Sequence, residues 1–291
     1  MHQRTWQGFT TGLDGEGILV VTLTGSNAVN AMTQGMKRDL AEMLAQAHMA
    51  DDVRVVLFTG EGNAFCGGDD ISGGFHSPDH APASVPLLPP TDGLSIRRYA
   101  SLRLVSHALT RAVRDMDKPM IAAINGHAIQ SGLTLALGCD YRIAAPGAKL
   151  GSATLRFGFL PDEGGHHLLV EYLGAPRALE FLLGNKIVTA IEAERLGLVS
   201  EVADDPVAAA RDLADRLARQ PQVALRLLKR AVWRAQHASL DASLDDIALR
   251  AALSDDHPDA HEGVAAFRER RPARFNAWLA GGEPGAEPGA E

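Results

Sequence analysis

Three features of the sequence predict an α/β protein. Short β-branched runs alternate with amphipathic stretches over its first two-thirds, Gly-rich turns follow two of those runs, and a helical period continues almost unbroken after Pro176. The chain has 291 residues, of which 46% are hydrophobic, enough to bury a large core without a disulfide or metal staple. Its two cysteines, Cys66 and Cys139, make no disulfide framework and point to a reducing compartment. The net charge of −8 argues against broad binding to nucleic acid or to an anionic membrane. The N-terminal residues lack the basic-then-apolar run of a secretory signal, and no stretch approaches the roughly 18 apolar residues of a membrane span. A soluble, cytoplasmic protein is expected.

The elements follow in order. Residues 18–24 (ILVVTLT) read as a buried strand. Thr33 is placed to cap a helix running to about His48, with Met36, Leu40, Met43, Leu44 and Ala47 on one face. Residues 53–59 (VRVVLFT) are a second strand, closed by a Gly-rich turn, and strand–helix–strand implies a parallel crossover. Further strands are expected at 120–124 and 141–145, with a buried helix within 126–139 between them. Five prolines and three glycines in 72–95 exclude a regular element and predict a long loop. A helical period with an arginine-rich polar face occupies 96–114. Beyond it, Pro176 suits a first helical turn and Gly184 a stop, and helices are expected at 207–218, 223–236, 240–253 and 260–270. The resulting division is a core over 1–205, a helical region over 206–275, and a tail over 276–291, twice reading EPGA, that should be disordered.

Two segments could carry chemistry. In Gly62-Asn63-Ala64-Phe65-Cys66-Gly67-Gly68-Asp69-Asp70-Ile71 a Gly-rich turn follows a strand, and such a turn can aim backbone N–H groups at one point. In Ala122 to Leu133 a strand passes through Asn125-Gly126 and a small-residue turn into an apolar helix, whose first N–H groups are unpaired. Two donors from two separate turns are what an enolate oxyanion requires.

Six segments together make the chain resemble the crotonase, or enoyl-CoA hydratase/isomerase, superfamily. They are Asn27-Ala28-Val29-Asn30-Ala31-Met32, Phe65-Cys66-Gly67-Gly68-Asp69-Asp70-Ile71, Lys118-Pro119-Met120-Ile121-Ala122-Ala123-Ile124-Asn125-Gly126, Cys139-Asp140-Tyr141-Arg142-Ile143-Ala144, Gly158-Phe159-Leu160-Pro161 and Glu262-Gly263-Val264-Ala265-Ala266-Phe267. The resemblance implies a crotonase-like ββα spiral core with a C-terminal helical trimerisation region, assembled as a homotrimer or a dimer of trimers. It implies an acyl-CoA thioester substrate, with coenzyme A entering as part of that substrate and no separate cofactor. The oxyanion donors carried over are the backbone N–H groups of Asp69 and Ser131. Asp70 would then fix the turn, and Cys66 would serve as a packing residue. Ala28, Val29, Phe65, Gly67 and Gly68 fall on segments that cradle the nucleotide and pantetheine, and Arg270 matches a family lysine that reaches the nucleotide phosphate of a neighbouring subunit. The alternative for Arg270 and the nearby Arg268, Arg271 and Arg274 is a solvated helix face.

The departures from the family pattern carry most information. The two positions that hold the hydratases' catalytic glutamates are Thr134 and Thr154, here expected to be substrate-binding, and threonine cannot act as a carboxylate acid or base near neutral pH. Conventional hydration is therefore disfavoured. Asp162 matches the catalytic aspartate of the dienoyl-CoA isomerase branch, with Glu163 as the alternate; a carboxylate lying in an apolar pocket holds its proton more tightly, which suits acid–base work. The competing reading makes Asp162 a helix cap ahead of Gly164-Gly165. His127 and His166 are further candidate bases, each more often a packed or solvated side chain. No His/Cys/Asp spacing reads as a metal site. The leading expectation is double-bond isomerisation with Asp162 as acid/base. Hydrolysis of a C–C bond in a β-keto acyl substrate, conventional enoyl-CoA hydration and a non-catalytic acyl-CoA-binding scaffold remain alternatives.

Overall fold

A computed structural model describes residues 5–71 and 94–280. In chain order it contains β1 (Phe9–Leu13), β2 (Ile18–Leu23), α1 (Gln34–Met49), β3 (Val55–Gly60) and β4 (Ala64–Cys66). Helix α2 (Leu94–Ser101) continues through a π-helical segment (Leu102–Ser106) into α3 (His107–Asp115). Then come β5 (Met120–Ile124), β6 (His127–Ile129), α4 (Ser131–Gly138), β7 (Tyr141–Ala144), β8 (Lys149–Gly151) and a 3-10 turn (Thr154–Phe157). The remainder is α5 (Gly165–Leu173), α6 (Ala175–Leu183), β9 (Ile187–Thr189), α7 (Ala190–Arg195), β10 (Glu201–Val202), α8 (Pro206–Ala218), α9 (Gln222–Ala235), α10 (Leu240–Asp255), α11 (Pro258–Glu269) and a 3-10 turn (Ala277–Ala280).

The strands form a six-stranded sheet in the order β1-β2-β3-β5-β7-β10 and a four-stranded sheet in the order β4-β6-β8-β9. Three successive units, β3–β4, β5–β6 and β7–β8, each place the first strand in the large sheet and the second in the small one before a helix follows. This is the ββα spiral that the resemblance implies. Side-chain alternation in the large sheet explains its unbroken apolar runs. Leu19, Val21, Val56, Phe58, Met120 and Ala122 join the main core with α1, α3 and α4. Ile18, Val55, Leu57, Ile121, Ala123 and Ile143 face α8, which presents Ala210, Ala214 and Ala218 at a four-residue spacing.

The caps read from the sequence are present. Thr33 accepts from Met36 N at 3.1 Å to start α1, Pro176 lies in the first turn of α6, and Gly184 ends it. Three expectations are corrected. Helix α8, expected at the head of a separate helical region, covers the large sheet and belongs to the core. Asn276 does not belong to the tail expected over 276–291: it is buried, its N–H donates to Asp259 Oδ1 at 2.7 Å, and its Nδ2 donates to Gln220 O at 2.9 Å. Residues 94 and 95 do not belong to the loop expected over 72–95, because α2 begins at Leu94; the rest of that expectation, over 72–93, and the remainder of the tail, over 281–291, lie outside the described residues. Among the described residues, no helix is long and apolar enough to cross a membrane.

Candidate functional site

The first candidate donor is set by hydrogen bonds that fix the turn after β4. Asn30 Nδ2 donates to Glu61 O at 2.9 Å and to Ala64 O at 2.8 Å. Gly67 N donates to Val29 O, Met32 N to Gly68 O, and Asp70 N to Met32 O, so Met32 and Asp69 form a one-residue parallel bridge. In such a bridge the partners of Met32 are the groups flanking residue 69, and the N–H of Asp69 itself points to the opposite side. Asn125 ties this turn to the next strand pair, donating to Gly60 O and Gly62 O, each at 2.9 Å.

The second candidate donor is the N-terminus of α4. Gln130 takes a positive φ of 49° to swing the chain from β6 into the helix. The first helical bond runs from Thr134 N to Gln130 O, which leaves the N–H of Ser131 outside the intrahelical ladder. Gly132 lets α4 approach β4: a Cβ there would lie 2.3 Å from Cys66 O. The two candidate donor residues meet directly, because Ser131 Oγ donates to Asp69 Oδ1. Asp70 turns elsewhere and accepts from Ser26 Oγ at 2.5 Å.

Beneath this pair lies a group that sequence reasoning missed. Lys37, fully buried on α1, pairs with Asp69 Oδ1 at 2.7 Å and with Glu163 Oε1. Burial favours loss of the lysine proton, but the charges of Asp69 and Glu163 beside it outweigh burial and hold it above its ordinary value. Burial also acts to raise Asp69, yet Lys37 prevails and keeps that carboxyl below its ordinary 3.8. At Glu163 burial wins, and its carboxyl lies above its ordinary value. Burial pushes the Cys66 thiol up to about 12, which agrees with a packing role.

A cleft of about 250 Å³ opens beside the first turn, lined among others by Gly67, Gly68, Asp69, Gln130, Thr154 and Asp162. Asp162 therefore shares a cavity with Asp69. Its surroundings differ from the expected apolar wall, since Arg98 from α2 lies 2.8 Å from Oδ2. His107 Nε2 lies 2.8 Å from the Asp162 carbonyl oxygen, and Thr110 Oγ1 donates to Glu163 O at 2.8 Å, so the α2–α3 helix holds this loop at three points. The Asp162 reading as a helix cap is not supported, because Gly164 is the residue before α5 and no side chain caps it.

The other sequence candidates divide. Glu163 is buried and turned onto Lys37, away from the lining of the cleft. His127 is exposed on β6, and His166 is exposed on α5 with Nδ1 3.3 Å from Pro161 O; neither lines the cleft. Thr134 is buried against Gly165, where a Cβ would lie 2.7 Å from its Oγ1. Ala28 and Val29 are exposed near the turn, but Phe65 is fully buried in the main core and its side chain cannot cradle a nucleotide. Arg270 is exposed at the end of α11 with a left-handed backbone, whereas Arg271 is held by Glu262 and Glu269.

Comparison with known proteins agrees with the ββα spiral fold. The family model described as enoyl-CoA hydratase/isomerase matches residues 14–86 and 91–277. The 1,2-epoxyphenylacetyl-CoA isomerase of Escherichia coli (strain K12) is 36% identical over 263 residues, covering 89% of this chain and 95% of that protein. The 2,3-dehydroadipyl-CoA hydratase of the same organism is 29% identical over 260 residues, covering 89% and 94%. Among solved structures, an enoyl-CoA hydratase subunit I from Geobacillus kaustophilus HTA426 superposes with a TM-score of 0.78 at 30% identity, covering 93% of this chain and 98% of that one. Pseudomonas aeruginosa DspI does so at 0.83 and 29%, covering 94% and 99%.

Proposed function

Because the chain belongs to the enoyl-CoA hydratase/isomerase family, we propose that it shifts a double bond within an acyl-CoA thioester, with Asp162 as the proton carrier. The thioester oxygen takes hydrogen bonds from the N–H groups of Asp69 and Ser131. Asp162 removes a proton from the carbon next to the carbonyl, and the electron pair passes onto the oxygen as an enolate. The same carboxyl returns the proton two carbons further along, and the enolate collapses with the double bond moved into conjugation. Atoms and charge balance without water or a separate cofactor, and coenzyme A enters as part of the substrate.

The observation that carries this reading is that Asp162 lines the same cleft as Asp69 and Thr154, while both hydratase acid positions are threonine. A relative named as an isomerase supports it as well. Exposed apolar side chains on α9–α11, including Leu228, Val232, Leu244, Leu253 and Phe267, suit assembly with further copies as a trimer or a dimer of trimers. Two free cysteines suit a reducing, cytoplasmic setting.

The test offers crotonyl-CoA, a 3-enoyl-CoA and a 3,5-dienoyl-CoA and follows absorbance. Turnover of the 3-enoyl or dienoyl substrate, reduced at least about 100-fold in Asp162→Asn, is expected. Hydration of crotonyl-CoA at ordinary enzymatic rates would overturn the reading, and binding without any turnover would favour a scaffold.

A further inference from the structure

The Lys37 cluster is costly for the fold. A lysine on the apolar stripe of α1, one position from Met36 and three from Leu40, gives up its hydration, and so do the two carboxylates that meet it. Well-packed apolar residues there would serve stability equally well. What the cluster does reach is the pair of candidate oxyanion donors. One oxygen, Asp69 Oδ1, receives both the Lys37 ammonium at 2.7 Å and the Ser131 hydroxyl. The side chains of the two donor residues are thereby braced to each other and to a single buried cation.

The brace also carries charge. The Asp69 carboxylate is covalently close to its own N–H and is partly open to the cleft. Left alone, it would repel an enolate held on that N–H. We propose that Lys37 is a positioning residue of the oxyanion hole: through Asp69 Oδ1 it holds Asp69 and Ser131 in register and cancels the negative charge that Asp69 would place beside the enolate. This rests on the enolate chemistry proposed above.

The experiment reads enolate stabilisation without turnover. The wild type, Lys37→Met, Asp69→Asn and the double variant are each saturated at one fixed pH with 3-oxobutanoyl-CoA, whose enolate absorbs in the near ultraviolet. Affinity for butanoyl-CoA, whose enolate does not accumulate, is measured in parallel. Lys37→Met should lower the ratio of bound enolate to bound keto form by about 100-fold, as expected for a unit charge about 6 Å from the oxygen at an effective dielectric constant of about 20. Its affinity for butanoyl-CoA should stay within about threefold of wild type, a split that a general loss of structure would not give. The double variant should recover at least about tenfold of the lost enolate ratio, the share due to charge, and the remainder is the share due to register. Should Lys37→Met fail to fold, Lys37→Gln is read in its place: it keeps a donor toward Asp69 Oδ1, removes the charge, and should lower the enolate ratio at least about tenfold. An unchanged ratio in Lys37→Met, or in Lys37→Gln where that replaces it, or no recovery in the double variant would overturn the inference. If the wild type binds neither thioester, the proposed function itself fails and the inference with it. If the wild type binds and enolises the probe but the Lys37 variants do not differ from it, the inference alone fails.

Discussion

Gly132→Ala pits two known effects against each other, and the distances decide between them. Gly132 lies inside α4, where alanine is favoured over glycine by about 1 kcal/mol of helix propensity. The new Cβ, however, would lie 2.3 Å from Cys66 O, 2.7 Å from Cys66 Cβ and 3.0 Å from Cys66 C. Ordinary contact begins near 3.4 Å, so α4 and β4 must separate by about 1 Å. The nearest atom is a backbone oxygen in a fully buried strand and cannot rotate aside. Overpacking of this kind costs about 1–3 kcal/mol, enough to cancel or outweigh the gain in propensity. The same 1 Å separates the two turns that carry Asp69 and Ser131, and a misplacement of that size in a positioned site costs about 100-fold in rate. Thermal unfolding should show a variant no more stable than wild type, and steady-state kinetics on the 3-enoyl substrate should show a fall mainly in kcat. A variant that is both more stable and fully active would refute the claim that close approach of α4 to β4 sets the site.

Three further outcomes follow from particular residues. Phe65→Ala should cost about 3–5 kcal/mol by denaturant unfolding, while KM for the thioester changes less than about threefold in the fraction that remains folded; a large KM effect would restore Phe65 to the nucleotide site. Asp69, held below its ordinary 3.8 by Lys37 against the opposing effect of burial, contributes stability that is present above 3.8 and lost as pH falls through its lowered value. Asp69→Asn should therefore flatten the acid limb of a stability–pH profile below about pH 4, and an unchanged limb would contradict the pairing. The Cys66 thiol, pushed up to about 12 by burial, should resist iodoacetamide at pH 8 in the native protein and react once the chain is unfolded.

The long elements were legible because their signals are local. Thr33 caps α1, Pro176 and Gly184 bracket α6, and the apolar runs of β2, β3 and β5 declare strands buried on both faces. The small sheet was not legible, since β4, β6, β8 and β9 have three residues each and show too little of any period. Strand β1, Phe9–Leu13, escaped because its side chains are mostly half-exposed or exposed and read as polar. The donor turns and Asp162 came from the resemblance together with the helix-terminus argument. The arginines of 96–114 read as a solvated face, yet Arg98 pairs with Asp162 across 64 residues of chain. Lys37 had one local signal, its place on the apolar stripe three residues before Leu40 and seven before Leu44. Its partner Glu163 is 126 residues away, a separation at which local periodicity says nothing.

The central claim is that two backbone amides and one carboxylate act together on the carbon beside a thioester. Exchange of that carbon's hydrogens in D2O, followed by proton NMR on a saturated acyl-CoA, tests it without requiring the natural acyl group. Deuterium should enter the α position with wild-type protein and be at least about 100-fold slower with Asp162→Asn. Wild-type protein that binds the thioester without exchange, or exchange undiminished in Asp162→Asn, would contradict it.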